Sequence, residues 1–226
     1  MKQNPLKLAN ILLLVCAAAC LVCYDIFGGL WLKGVTSSWF VILGGVNLWA
    51  ARKRQDFRFF LLVELGLLCG MCADVLLGLV FFAGVGVFAL GHVLYLAAFC
   101  TLEKFRRQDL KFMIPVALFS LYFVMGTPWI TVEDPFLRKV LPAYALIIAA
   151  MLGKALSNVA LRPGRFRWLL AIGSIMFWFS DLILAIDMFG TPSRLTWVLC
   201  SYNYWPAQTI LAYSMYHFIN TQRCAS

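Results

Sequence analysis

The chain has 226 residues, of which 63% are hydrophobic and only 13% are charged, and its mean hydropathy is +0.85. A soluble domain is roughly 45–50% apolar and about 25% charged, so this composition excludes an ordinary soluble protein. A membrane-spanning helix needs about 20 apolar residues, so eight of them would use about 160 residues. The remainder suffices for loops and termini, and we expect a single integral membrane domain over residues 1–226.

The apolar runs and the residues that interrupt them predict an all-α polytopic membrane protein, a bundle of eight transmembrane helices. In chain order, the predicted spans cover approximately residues 8–27, 35–51, 59–78, 82–102, 112–130, 139–157, 168–187 and 196–219.

The formal net charge of +9 comes from short basic clusters that lie between the apolar runs. No basic segment is long enough to follow a phosphate backbone, so we expect no nucleic-acid partner. With the N-terminus inside, fifteen of the nineteen basic residues, including Lys154, fall on the inner side. The outer side would hold four, which are Lys33, Arg138, Lys139 and Arg194. The positive-inside rule therefore predicts that both termini lie inside.

Ionisable side chains are costly in the bilayer core, so those inside predicted spans are candidate functional residues. Asp74 lies about 22 Å into the third span and Asp181 about 20 Å into the seventh, at a rise of 1.5 Å per residue. The two carboxyl groups therefore reach the same depth. Other polar side chains come to overlapping depths on two further spans, His92 and Tyr95 on the fourth and Tyr204 and Gln208 on the eighth. Tyr144 lies near the outer end of the sixth span.

These residues also have structural interpretations. The aspartates could accept hydrogen bonds that hold the bundle together, His92 could be a buried hydrogen-bonding residue, and the aromatic residues could be packing groups. Glu64, near the inner surface, and Asp187, near the outer surface, are expected to be solvated or to cap helices. Asp25 is expected at the outer rim.

Pro206 and the cysteines give two further expectations. Pro206 has no N–H to donate to the carbonyl of residue 202, and a freed carbonyl at that depth needs protein or a cavity beside it. We therefore expect a cavity next to Tyr204. Two C-x-x-C spacings, Cys20/Cys23 and Cys69/Cys72, could form a thiolate metal site. Packing in apolar surroundings is the simpler interpretation, and we expect neither a metal nor a cofactor.

A short internal similarity points to a possible duplication. Residues 73–77 (ADVLL) in the third span are similar to residues 180–184 (SDLIL) in the seventh. Both spans run from inside to outside and lie four spans apart, as a parallel duplication of four spans would require.

The ordered set of polar motifs resembles the YhhN-like lysoplasmalogenases, which are eight-span membrane hydrolases. The matching segments are residues 73–77 (ADVLL), 88–95 (FALGHVLY), 141–144 (LPAY), 179–182 (FSDL) and 204–208 (YWPAQ). Residues 36–39 (TSSW) depart from the family pattern, which often has Lys-Pro early in the second span. The family also usually has Gly-Asp where this chain has Ala73 and Asp74, and two adjacent tyrosines where it has Tyr204 and Trp205.

The resemblance implies hydrolysis of the vinyl ether bond of a lysoplasmalogen, which gives a fatty aldehyde and glycerophospho-ethanolamine or -choline. Under this hypothesis Asp74 and Asp181 are the catalytic pair, one as general acid and the other stabilising the cation and orienting water. His92, Tyr95, Tyr144, Tyr204 and Gln208 are the expected substrate-binding residues. The expected partners are a lysophospholipid substrate and membrane lipids, in a bacterial inner membrane.

Two other classes of function fit the same pattern. A small lipid or metabolite transporter, or a binding protein, could use the same intramembrane polar cluster, since small transporters also combine interrupted helices with a polar site. A purely structural membrane protein is the third interpretation, but it leaves the matching depths of Asp74, Asp181 and His92 unexplained.

Overall fold

The computed structural model describes residues 5–223, which form eight long α-helices and no β-strand. The helices are α1 (Pro5–Phe27), α2 (Leu30–Ala50), α3 (Phe57–Leu79), α4 (Phe81–Leu102), α5 (Leu110–Gly126), α6 (Leu137–Leu161), α7 (Arg165–Phe189) and α8 (Arg194–Arg223). A 3₁₀ turn, Arg107–Asp109, precedes α5. Each predicted span thus corresponds to one helix.

Two helix boundaries differ from the prediction for local reasons. The span predicted at 112–130 ends as a helix at Gly126, because Pro128 follows and Thr127, the residue before it, is extended. The span predicted at 35–51 begins earlier, at Leu30, directly after Gly28 and Gly29. Both glycines have positive φ, which lets the chain reverse between α1 and α2. Lys33, which we expected in the outer loop, therefore lies inside α2.

Six of these helical segments are long and apolar enough to cross a membrane: α1, α3, α4, α6, α7 and the segment Arg107–Gly126, which includes α5. The other two, α2 and α8, carry more polar side chains, among them Lys33 and Asn47 in α2 and Gln208 and Asn220 in α8. The fold is therefore that of an all-helical, multi-pass membrane protein. The full count of eight spans and the inside location of both termini remain predictions.

The helices pack so that six of them form a closed ring. Around the ring each helix contacts the next, in the order α2, α3, α4, α6, α7, α8 and back to α2. Of the other two, α1 packs outside the ring against α2 and α8, and α5 packs outside against α6 and α7. The interior is filled largely by aromatic residues, including Phe40, Phe88, Phe177 and Tyr204. Polar side chains inside the ring must therefore find partners on neighbouring ring helices.

One end of the bundle is held by ion pairs, of which the pair between Lys154 and Asp109 is fully buried. Lys154 of α6 is fully buried and its Nζ lies 2.8 Å from Oδ2 of Asp109. Ser157, one turn away, donates to the other oxygen of Asp109 at 2.5 Å. Nearby, Glu103 pairs with Arg162 at 3.1 Å and with Arg167 at 3.2 Å. Lys154, which we counted with the basic residues of the inner side, therefore has its charge buried against the turn that begins α5.

We expect Lys154→Met to lower the free energy of unfolding by about 3–5 kcal/mol, because it leaves the Asp109 carboxylate buried without its cation. Thermal unfolding in detergent would measure the change, with Lys53→Met, at an exposed position, as the control. Adding Asp109→Asn to Lys154→Met should recover part of the loss. An unfolding temperature for Lys154→Met equal to that of Lys53→Met would contradict the role of the ion pair.

Candidate active site

Asp74 of α3 lies in the interior of the ring and is 2% exposed. Its Oδ2 accepts hydrogen bonds from Oγ of Ser37 on α2, at 2.5 Å, and from the hydroxyl of Tyr204 on α8, at 2.9 Å. Its other oxygen, Oδ1, lies 3.8 Å from Nζ of Lys33, one turn before Ser37 on α2. An ammonium group and two hydroxyl donors thus surround this carboxyl group.

Asp181 of α7 has a similar arrangement on the opposite side of the ring. Its Oδ2 accepts a hydrogen bond from the hydroxyl of Tyr144 on α6, at 2.5 Å, and lies 3.1 Å from Nε2 of His92 on α4. Within residues 5–223, Nδ1 of the fully buried His92 has no hydrogen-bond partner. Because Oδ2 of Asp181 is a hydrogen-bond acceptor, we assign the proton to Nε2, which donates towards it, and this leaves Nδ1 as the acceptor nitrogen.

The two carboxyl groups are related by the pattern that a duplication of four helices predicts. Each aspartate lies on the third helix of its half of the chain. Each accepts a hydrogen bond from a hydroxyl group on the second helix of the same half. In both cases the donor residue lies 37 residues earlier in the sequence. Each also has a partner on the fourth helix of the other half, Tyr204 for Asp74 and His92 for Asp181. Lys33 breaks this symmetry, because the corresponding residue of α6 is Val140.

Both aspartates line one polar cavity of about 240 Å³, which also borders Lys33, Tyr204 and Trp205. The cavity lies beside Tyr204, as expected from Pro206, although α8 continues through that proline as one helix. Tyr24, Asp187 and Trp197 line both this cavity and a shallow depression, which we call the vestibule. The vestibule lies between the α1–α2 turn and the start of α8, and Asp25 and Arg194 pair at its edge.

A second, apolar cavity borders the polar one. It is lined by residues of α3 to α7, and Asp181 lines both cavities whereas Asp74 lines only the polar one. Leu77, Phe88, Leu184 and Met188 also line both cavities, so they form the partition between them. Asp181 is the polar group at this partition.

A chain of hydrogen bonds through Tyr95 and Gln208 orients the hydroxyl group of Tyr204. The hydroxyl of Tyr95 donates to Oε1 of Gln208 at 2.5 Å, and Nε2 of Gln208 donates to the hydroxyl of Tyr204 at 3.4 Å. On the other side of Asp74, Nε1 of Trp205 donates to Oγ of Ser37 at 3.0 Å. Hydroxyl groups that contact Asp74 are therefore oriented by a second set of side chains.

The structure thus brings the predicted residues together, but in two layers. Asp74, Asp181 and Tyr204 line the polar cavity, and Tyr144 lines the apolar one. His92, Tyr95 and Gln208 are not among the residues that line either cavity. They lie behind the lining residues, so direct contact between these three and a substrate remains a prediction.

The expectation for Glu64 was wrong. Its side chain is not solvated but buried between α2 and α3, with 6% of the residue exposed, and its Oε2 has no hydrogen-bond partner in the described part of the chain. Gly44 of α2 leaves the space that this carboxyl group occupies. By contrast, Oδ1 of Asp187 accepts a hydrogen bond from the hydroxyl of Thr196, at 2.6 Å. Asp25 lies at the rim, where it accepts hydrogen bonds from Arg194 and Tyr202.

Sequence reasoning missed Lys33 and Ser37 as site residues. Their spacing of four residues places both on one face of a helix, which could have indicated a shared role once α2 was extended to Leu30. Residues 36–39 lack the lysine typical of the family, but Lys33 brings an ammonium group to Asp74 from one turn earlier. Across residues 5–223, no cluster of three or more His, Cys, Asp or Glu side chains is placed to hold a metal ion.

The fold and the site define a multi-pass helical membrane protein with two carboxyl groups in the interior of a helix ring. The chain belongs to the YhhN family, whose model matches residues 7–215 and so covers nearly its whole length. The family resemblance inferred from the sequence motifs is thereby confirmed. No curated protein and no solved structure matches the chain.

We expect Gly70→Ala to disturb the site, because a Cβ at this position of α3 would collide with the amide of Gln208 and press on the hydroxyl of Tyr204. Overpacking of this kind costs about 1–3 kcal/mol of stability. Thermal unfolding in detergent would measure it. Gly86→Ala is the matched control, since a Cβ there meets nothing within 4 Å. Equal unfolding temperatures for the two variants would contradict the close approach of α3 and α8.

Proposed function

We propose that the protein is a lysoplasmalogenase-like hydrolase that cleaves the vinyl ether bond of lysoplasmalogens. Membership of the YhhN family is consistent with a hydrolase. The observation that carries the proposal is that Asp74 and Asp181, from opposite sides of the ring, line one polar cavity. Glycosidases also use a pair of carboxyl groups, and their transition state has similar oxocarbenium character.

The reaction needs one proton donor and one group that stabilises positive charge. The donor transfers a proton to the chain-side carbon of the double bond, whose π electrons form the new C–H bond. The cation is then shared between the second carbon and the ether oxygen. Water attacks that carbon and returns a proton to the donor, and cleavage of the C–O bond of the hemiacetal releases an aldehyde and an alcohol. One water molecule is consumed in total.

The two carboxyl groups suit these two tasks. Each has one oxygen held by hydrogen bonds from neighbouring helices, so the other is oriented for chemistry. In this proposal Tyr144 and His92 hold Asp181, and Tyr204, itself held by Tyr95 and Gln208, holds Asp74. The polar cavity supplies room for the attacking water, and its position among membrane helices allows a lysophospholipid to enter from the bilayer. We propose a bacterial inner membrane as the location.

The test is aldehyde release by the purified protein in detergent. Lysoplasmenyl-ethanolamine should yield aldehyde, whereas its saturated-ether analogue should yield none and its acyl analogue should not be hydrolysed. Failure to turn over the vinyl ether would overturn the proposal. Accumulation of intact lysolipid in proteoliposomes without product would then favour the competing class, a transporter.

We expect Asp74→Asn and Asp181→Asn each to lower kcat by about 10²–10⁴-fold, the usual contribution of a positioned acid or base. The amide keeps the shape of the side chain but cannot donate a carboxyl proton or carry negative charge. Asp134→Asn is the matched control, since this exposed carboxylate accepts backbone hydrogen bonds at the start of α6 and lines neither cavity. Full activity in both site variants, with normal unfolding temperatures, would disprove the assignment.

A further inference from the structure

The apolar cavity beside Asp181 has no role in the chemistry described so far. It is narrow, about 60 Å³ in volume, and lies between α3, α4, α5, α6 and α7. Along α7 its lining extends from Trp178 to Phe189, which corresponds to about 16 Å at 1.5 Å per residue. A small cavity whose lining follows α7 over this distance suits a single extended chain better than a bulky ligand.

The chemistry of the lining points to an aliphatic ligand. Four residues of the lining have polar side-chain atoms: Ser120, Tyr144, Trp178 and Asp181. Trp178 donates to Ser120 at 2.8 Å, Ser120 donates to the carbonyl of Val116 at 2.8 Å, and Tyr144 donates to Asp181. These donors are used within the protein, so they need no polar ligand. The rest of the lining is aliphatic or aromatic.

The polar cavity, by contrast, has charged side chains in its lining. Lys33, Asp74, Asp187 and Ser201 line it, and it adjoins the vestibule, where Arg194 lies. These groups can contact a phosphate, a glycerol hydroxyl or an ammonium group. A single-chain phospholipid has one aliphatic and one charged part, and the two cavities match these parts on the two sides of the partition.

We propose that the apolar cavity is the chain-binding subsite of the enzyme. By holding the chain, it determines which end of the vinyl ether faces Asp181. This inference rests on the proposed function. With the chain in the apolar cavity and the glycerophosphate part in the polar one, the vinyl ether lies at the partition. The chain-side carbon then lies next to Asp181, and the ether oxygen faces Asp74.

This direction assigns the two catalytic roles. The carbon that receives the proton is the chain-side carbon, so Asp181 is the proton donor. Its Oδ1 has no hydrogen-bond partner among residues 5–223 and is free to carry that proton, whereas Oδ1 of Asp74 faces the ammonium of Lys33. Asp74 is therefore the carboxylate that stabilises the cation.

Ala145 of α6 allows a direct test of the chain subsite, because it lines the cavity and its side chain can be enlarged into it. Activity would be measured on lysoplasmenyl-ethanolamines with chains from four to eighteen carbons. Wild-type kcat/KM should rise with chain length. Ala145→Leu should reduce kcat/KM for the longest chains at least tenfold through KM, and leave the shortest within twofold. Ala143→Leu, exposed on the same helix, is the matched control. Parallel chain-length profiles for both variants would overturn the inference.

A second measurement does not depend on turnover or on the stability of a variant. A saturated-ether lysophosphatidylethanolamine with a diazirine in its chain would be photolysed with the wild-type protein, and the labelled residues would be mapped. Labels on the cavity-lining segments of α5, α6 and α7 support the subsite. Labels spread over the lipid-facing surface, or concentrated at the vestibule, overturn it. Specific labelling without aldehyde release would keep the subsite and reject the hydrolase.

The role assignment is tested by the pH dependence of residual activity. In Asp181→Asn, hydronium is the remaining proton source, so the residual rate should rise about tenfold per unit as the pH falls from 8 to 6. In Asp74→Asn the carboxyl donor is still present, so the rate should keep the shape of the wild-type profile. The reverse pattern, or the same profile in both variants, would overturn the assignment of Asp181 as donor.

Discussion

The organisation of this protein depends on one constraint, which is that two carboxyl groups inside a bundle of apolar helices must have hydrogen-bond partners. A buried carboxyl group without such partners would cost several kcal/mol, and here the partners come from neighbouring helices. Asp74 is held from α2 and α8, and Asp181 from α4 and α6. Because each aspartate joins its own helix to two others, all six helices of the ring contribute to the site. The interactions that build the site therefore also close the ring.

The same interactions show a symmetric arrangement of two aspartates whose surroundings differ. The contacts between successive helices in the first half of the chain recur in the second, and the ring is closed by α4 against α6 and by α8 against α2. Ser37 and Tyr144 occupy equivalent places, each donating to the aspartate 37 residues later. The differences are that Lys33 faces Asp74 and His92 faces Asp181. The proposed mechanism gives the two carboxyl groups different tasks, and these differences make their environments unequal, which supports the proposed division of roles.

The sequence predicted the helices and the depth of the two aspartates because both follow from regular geometry. A helix rises 1.5 Å per residue, so the distance of Asp74 and Asp181 from the ends of their apolar runs placed them in one layer. The same reasoning could not give the surroundings of Lys33, Lys154 and Glu64, because these depend on neighbouring helices. Lys154 was counted with the basic residues of the inner side, but its burial against the turn before α5 does not follow from its position in an apolar run. Glu64 is buried because the glycine at position 44 leaves space on α2.

By itself, the amino-acid sequence determined that this is an all-helical membrane protein of the YhhN type, with Asp74 and Asp181 as its central polar residues. Composition, hydrophobic run length and ordered motifs are local properties, so no knowledge of packing was needed. Only the tertiary structure decided which oxygen of each carboxyl group is held, that Lys33 reaches Asp74, and that Asp181 alone of the pair lines the apolar cavity. These features depend on the order of helices around the ring and on their rotation about their own axes, which bring together residues that are distant in sequence.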